Sequence, residues 1–155
     1  MALRRDLIEK SLEVEELTRV FYEKLKAKLP EHAGLCDELM EGEQKHKRII
    51  EEGAKMIVAG DAPDELIFPS MKILKRTCDT IKAITMEIET VGADYHRACE
   101  MALKVEESTG EGYLQSAIKF AKSQALHDLF RRVGQDERTH KEIILDYMKS
   151  KGLAK

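Results

Sequence analysis

Two tetrapeptides in this chain have the residue types and the spacing to hold a metal: Glu43-Gln44-Lys45-His46 and Glu137-Arg138-Thr139-His140. Residues three apart on a helix are neighbours on one face, so each Glu-x-x-His would set a carboxylate and an imidazole side by side, aimed the same way. One such pair means little in a chain with 29 acidic residues, where a helix carboxylate is most often solvated. Two of them, 94 residues apart, are a different matter. If they converge, each metal needs further anionic oxygen, so the remaining question is which other carboxylates can join them.

The helices that would have to position these pairs are legible as apolar periodicity. Between Asp6 and about Lys28, the residues Leu7, Leu12, Val14, Leu17, Phe21 and Leu25 recur at helical spacing, and Leu29-Pro30 ends the run. A second helix is predicted from about Glu31 to Val58, with Leu35, Leu39, Ile50, Met56 and Ile57 inward and Gly60 as its stop. Glu43 and His46 fall on that inner stripe. Residues 60–78 carry Pro63 and Pro69 and read as a long crossover. A third helix begins near Asp79-Thr80 and runs through Ile81, Ile84, Ile88 and Val91 to about Glu107. After a break at 108–112, a fourth helical stretch runs from Tyr113, with an interruption expected near Ser123, through Leu126, Phe130, Val133, Ile143 and Tyr147 to Gly152. The class is all-α.

An internal repeat supplies the missing carboxylates. Leu12-Glu13-Val14-Glu15 recurs 74 residues later as Met86-Glu87-Ile88-Glu89, with Asp6-Leu7 aligned to Thr80-Ile81. The helix pairs at about 6–59 and 79–150 are then copies, and Glu15 and Glu89 are matched positions. Because the two Glu-x-x-His sites are 94 apart, 20 residues are inserted in the second half, within about 103–123. The expected ligand set is Glu15, Glu43, His46, Glu89, Glu137 and His140. Four carboxylates and two imidazoles would neutralise two divalent ions, and this oxygen and nitrogen set suits iron or manganese and also admits zinc.

The segments Glu15-x-x-Thr18-x-x-Phe21-Tyr22 followed by Glu43-x-x-His46, and Glu89-x-x-Gly92-x-x-Tyr95 followed by Glu137-x-x-His140, resemble the ferritin-like di-iron domain of the rubrerythrin family over almost the whole chain. The resemblance implies an antiparallel four-helix bundle with a long crossover, a centre of two iron ions, and reduction of hydrogen peroxide or dioxygen. It implies Glu43 and Glu137 as bridging ligands, Glu15 and Glu89 as terminal ones, and a homodimer. No paired cysteines follow the last helix, so electrons would come from an external donor such as a rubredoxin-like protein or a flavin reductase. Gly92 stands where prototypes of the family carry one more carboxylate. Oxidation and handling of ferrous iron is the alternative chemistry, and a non-catalytic bundle holding zinc, or no metal, is the alternative outside catalysis.

Two further residues bear on this chemistry. Tyr22 lies seven residues after Glu15, two turns along the same face, where a phenol could hydrogen-bond a ligand or pass an electron; core packing is the competing role. The 74-residue offset sets His96 in the equivalent place, as a further donor near the metals or as polar filling. Asp136 could orient a histidine across the site or lie exposed on its helix.

Composition bounds the rest. A chain of 155 residues suits one domain. A net charge of -3 without long runs of either sign shows no footprint for nucleic acid or an anionic membrane. Cys36, Cys78 and Cys99 are odd in number and lack Cys-x-x-Cys spacing, which fits a reducing cytoplasm. No apolar run is long enough to span a bilayer.

Overall fold

The described helices bury apolar rows, and the faces they bury define how they assemble. The computed structural model describes residues 2–58, 69–109, 124–133 and 138–153, and every regular element among them is helical. They are α1 (Ala2–Lys28), a 3-10 turn at Pro30–His32, α2 (Ala33–Val58), α3 (Met71–Thr90), α4 (Tyr95–Thr109), α5 (Gln124–Val133) and α6 (His140–Ser150). No helix among the described residues is long and apolar enough to cross a membrane.

The first two helices match their sequence pattern closely. Pro30 cannot continue α1, and the turn it opens reverses the chain so that α2 packs along α1, the most extensive helix pairing among the described residues. The apolar row of α1 (Val14, Phe21, Leu25) meets Leu35, Cys36 and Leu39 of α2 in one buried cluster. Removing a side chain such as Phe21 from water contributes about 1.5–3 kcal/mol.

The third predicted helix is two helices. Its start lies at Ser70, whose hydroxyl accepts a hydrogen bond from the Ile73 N–H at 3.3 Å, nine residues before the expected Asp79-Thr80. Its apolar row of Leu74, Thr77, Cys78, Ile81 and Ile88 packs on α1 and α4. The chain then turns at 91–94. Gly92 adopts φ 75° there, and Asp94 Oδ1 accepts from the Arg97 N–H at 2.8 Å to start α4. The helical spacing of apolar residues runs through this turn without a phase break, which is why periodicity alone reads one helix.

The fourth predicted helix is also divided. Thr139 is extended (φ -72°, ψ 155°) and closes a capping box with Glu142: the Glu142 N–H donates to the Thr139 hydroxyl at 3.1 Å, and the Thr139 N–H donates to Glu142 Oε2 at 2.7 Å. A new helix therefore begins at His140. Of the crossover predicted at 60–78, residues 71–78 belong to α3, while residues 60–68, most of the supposed insertion (110–123) and residues 134–137 lie outside the described residues.

The turn at Gly92 yields a test. A Cβ there would meet no atom within 4 Å, so alanine costs only the left-handed backbone. We expect Gly92→Ala to lower stability by about 1 kcal/mol, read as a shifted urea midpoint with unchanged slope.

Candidate metal centre

The long inner row of α2 places Glu43 and His46 where Leu and Ile would otherwise stand, and both are almost fully buried, at 3% and 2% exposure. α6 opens with His140, 2% exposed. Glu43, His46 and His140 offer ligand atoms that lie within 4.8 Å of one another, a group that could hold a metal ion. α1 adds Glu15, whose side chain is 13% exposed, and α4 adds Glu106, whose side chain is 1% exposed.

The arrangement is centred on Glu43. Its Oε2 lies 3.6 Å from His46 Nδ1 and its Oε1 lies 2.8 Å from His140 Nδ1, so one carboxylate faces both imidazoles, one oxygen to each. Glu15 Oε2 is 3.3 Å from His46 Nδ1, and Glu106 Oε1 is 3.5 Å from His140 Nδ1. The two rings stack with centroids 4.8 Å apart. The result is two Glu–His pairs, Glu15 with His46 and Glu106 with His140, both facing Glu43. Both histidines present Nδ1 to the carboxylates.

Charge is distributed unequally over this group. Burial, reinforced by the charge of Glu43, pushes the Glu15 carboxyl up to about 8. Burial alone would raise Glu43 as well, but the hydrogen bond from Glu15 and the neighbouring imidazoles outweigh it and hold Glu43 below its ordinary value. His140 is opposed by burial too, yet the carboxylates of Glu43 and Glu106 push it up to about 11. Without metal at neutral pH, Glu15 therefore carries a proton, Glu43 is ionised and His140 is an imidazolium.

Two neighbours support the group. The Tyr22 hydroxyl, fully buried, donates to Glu106 Oε1. Gly42 lies against the other side of His140: a Cβ built on it would fall 2.0 Å from His140 Nε2, so only glycine lets this imidazole lie against the α2 backbone.

Of the residues expected from sequence, Glu15, Glu43, His46 and His140 come together, and Tyr22 reaches them through Glu106. Glu137, like Asp136, lies outside the described residues. Glu89 and His96 are corrections. Glu89 is on the outer side of α3, half exposed and paired with Lys24, and His96 is exposed 3.8 Å from Glu100. Gly92, compared in sequence with a helical carboxylate position, sits in the α3–α4 turn. The error was one of register: the four-residue match at offset 74 aligned α1 with α3, whereas the helix that meets the site is α4.

A stronger repeat was present and points to Glu106. Leu12-x-Val14-Glu15-Glu16-x-Thr18-x-x-x-Tyr22 recurs as Leu103-x-Val105-Glu106-Glu107-x-Thr109-x-x-x-Tyr113, an offset of 91 residues against 94 for the Glu-x-x-His pairs. On this register the halves differ by three residues, and no 20-residue insertion is required. α3 is then additional to the repeat.

No family model, curated protein or solved structure matches the chain.

Two tests follow from the geometry. Glu15 and His140 bind protons more tightly folded than unfolded, Glu15 between its ordinary 4.5 and about 8, His140 between 6.5 and about 11. In that window the folded state holds more protons, so stability falls as pH rises. Glu43, with the opposite shift, contributes stability above its ordinary 4.5 that is lost as pH falls. The melting temperature of metal-free protein is therefore expected to decline steadily from pH 5 to 9; a flat profile would contradict the buried protonated pair. Separately, Gly42→Ala must displace His140 and should weaken divalent metal binding by about 10- to 100-fold in calorimetric titration. Gly34→Ala, on the same helix with open space around it, serves as the control and should bind as wild type.

Proposed function

We propose that this chain is a ferritin-like four-helix protein holding two metal ions, iron in the native state, and that it reduces hydrogen peroxide with electrons from an external donor. The single observation that carries the reading is Glu43, whose two oxygens face His46 and His140 separately while Glu15 and Glu106 flank one imidazole each. A carboxylate so placed could bridge two ions, one at each Glu–His pair, and this supports two metals rather than one. α1, α2, α4 and α6 supply the donors, as four helices of such a bundle would, with α3 as part of the crossover between halves. Glu137, by its place in the repeated Glu-x-x-His, is the second bridging candidate.

The donor set fits the ions. Three carboxylates and two imidazoles are crowded into a space where, without metal, one carboxyl must keep its proton. Divalent cations would replace that proton and the one on His140 Nδ1, freeing both Nδ1 atoms and the carboxylate oxygens as ligands. Two ferrous ions, when bound, supply the two electrons that cleave one O–O bond.

The chain's own residues do the rest. Glu43 and the paired imidazoles fix the spacing of the two Glu–His pairs. The Tyr22 hydroxyl orients Glu106 by donating to Oε1 and holds a proton one hydrogen bond from the site. The apolar rows of α1, α2 and α4 exclude bulk water. Reduction of one peroxide to two waters consumes two electrons and two protons, and the electrons come from a separate protein or flavin donor. The protein acts in the cytoplasm, as a homodimer, on this reading.

The test has two stages. Protein from iron-supplemented cells should carry close to two metals per chain, Glu106→Gln and His140→Ala should lose metal, and Glu89→Gln should keep it. Retention in Glu106→Gln joined to loss in Glu89→Gln would overturn the register argued above. In stopped flow, the reduced protein should then be reoxidised faster by hydrogen peroxide than by dioxygen at equal concentration. Faster reaction with dioxygen together with sustained ferrous oxidation would make the protein a ferroxidase, and reaction with neither would leave a structural metal clip.

A further inference from the structure

Two helical turns from the metal group, toward the α1–α2 turn, the described core carries a second cluster of reactive side chains. Tyr147 follows His140 by seven residues on α6, Cys99 precedes Glu106 by seven on α4, and Cys36 precedes Glu43 by seven on α2. All three lie about 10 Å along their helices from the corresponding donor. His32, in the turn between α1 and α2, joins them. Its Nδ1 is 2.9 Å from the Tyr147 hydroxyl. Its ring stacks on Tyr95 with centroids 3.8 Å apart, and Tyr147 meets both rings edge-on at 5.9 and 6.0 Å.

The two phenols are not equivalent. The Tyr95 hydroxyl is shut from solvent against the Cys99 thiol and has no nitrogen or oxygen partner, so burial pushes its acidity well below that of an ordinary phenol. It has no base to take its proton. Tyr147 does: when His32 Nδ1 is unprotonated, the phenol donates to it. Lys151 Nζ stands 5.5 Å from the centre of the Tyr147 ring, and a cation there opposes any path through a positively charged phenol radical. Loss of an electron from Tyr147 is therefore tied to loss of its proton to His32.

We infer that Tyr147, with His32 as its proton acceptor, is a redox-active tyrosine through which a surplus one-electron oxidising equivalent leaves the buried metal group for the protein surface. The inference rests on the di-metal reading only for the natural source of that equivalent. One electron passes from Tyr147 to the oxidant, its hydroxyl proton moves to His32 Nδ1, and a neutral phenoxyl radical remains. An external thiol or the electron donor then returns one electron, His32 returns the proton, and both residues are restored. Both side chains are half-buried, which lets a reductant in solution approach them.

The experiment uses metal-free protein and photogenerated tris(bipyridine)ruthenium(III) as the one-electron oxidant, with phenoxyl absorbance and electron paramagnetic resonance as readouts. Wild type should form a phenoxyl radical that Tyr147→Phe loses and Tyr95→Phe keeps. His32→Ala should slow its formation about 100-fold, and added imidazole should restore the rate, which a merely structural role for His32 would not allow. A radical undiminished in Tyr147→Phe, or a rate indifferent to His32→Ala, overturns the assignment. Iron-loaded protein, reduced and freeze-quenched after hydrogen peroxide, should show the same radical. Its absence from a protein that holds iron overturns the link to the metal group, whereas failure to hold iron defeats the di-metal reading and leaves the photochemical result to stand alone.

Discussion

The structure depends on keeping one ionised carboxylate in its core. Glu43 is 3% exposed, and an isolated charge so placed would cost several kcal/mol or simply take up a proton. It stays ionised because His140 and His46 each face one of its oxygens and the protonated Glu15 donates a hydrogen bond to it. Those partners come from three helices, so the charge cannot be accommodated unless α1, α2 and α6 are together. The same condition gives a group that could hold a metal ion, since the protons that balance Glu43 lie on the donor atoms a cation would use.

Other features serve that arrangement. Gly42 gives up helix propensity on α2, a cost of roughly 1 kcal/mol relative to alanine, and in return the Nε2 edge of the His140 ring comes up against the helix. The capping box at Thr139 starts α6 at His140, which fixes the backbone of that residue in the first turn. On the opposite side, α3 braces α1 and α4: the Thr77 hydroxyl donates to the Ser108 carbonyl at 2.6 Å, securing the last turn of α4 just beyond Glu106. Tyr22 holds the Glu106 carboxylate itself. Glu106 thus has its backbone secured by one neighbouring helix, α3, and its side chain held by another, α1.

The parts legible in the sequence were those encoded locally. α1 and α2 are long, their apolar residues keep a helical period, and Pro30 marks the boundary between them, so their extents and the buried place of Glu43 and His46 follow from pattern. The breaks at Gly92 and Thr139 do not interrupt the apolar period of the sequence; they are decided by a left-handed glycine and a reciprocal cap, signals carried by one or two residues. The choice of Glu89 over Glu106 failed for another reason. A four-residue alternation of Glu with Leu, Ile or Val recurs readily in a chain this rich in such residues, whereas the Val-Glu-Glu-x-Thr-x-x-x-Tyr match contains the polar residues that the site itself requires. Tyr22 is the proof of that: its hydroxyl, in the first copy, bonds the carboxylate of the second. The tyrosine is legible as part of a site only once the two copies are understood to cross over and support one another.

That crossing also separates the roles of the two buried phenol layers. Tyr22 donates to the Glu106 carboxylate of the candidate metal group, so its contribution is to position Glu106 and supply a proton. Tyr147, two turns away, has an imidazole in hydrogen-bonding contact and a route to the surface. An oxidising equivalent at the group would meet Tyr22 first by distance, but oxidation of a phenol whose proton must enter an already crowded set of carboxylates and imidazolium is opposed by the same electrostatics that hold Glu15 protonated. At His32 there is no such crowding. The proton acceptor, rather than proximity, decides which tyrosine can carry charge; Leu39, Ala102 and Ile144, all buried, stand on α2, α4 and α6 between the positions of the two groups.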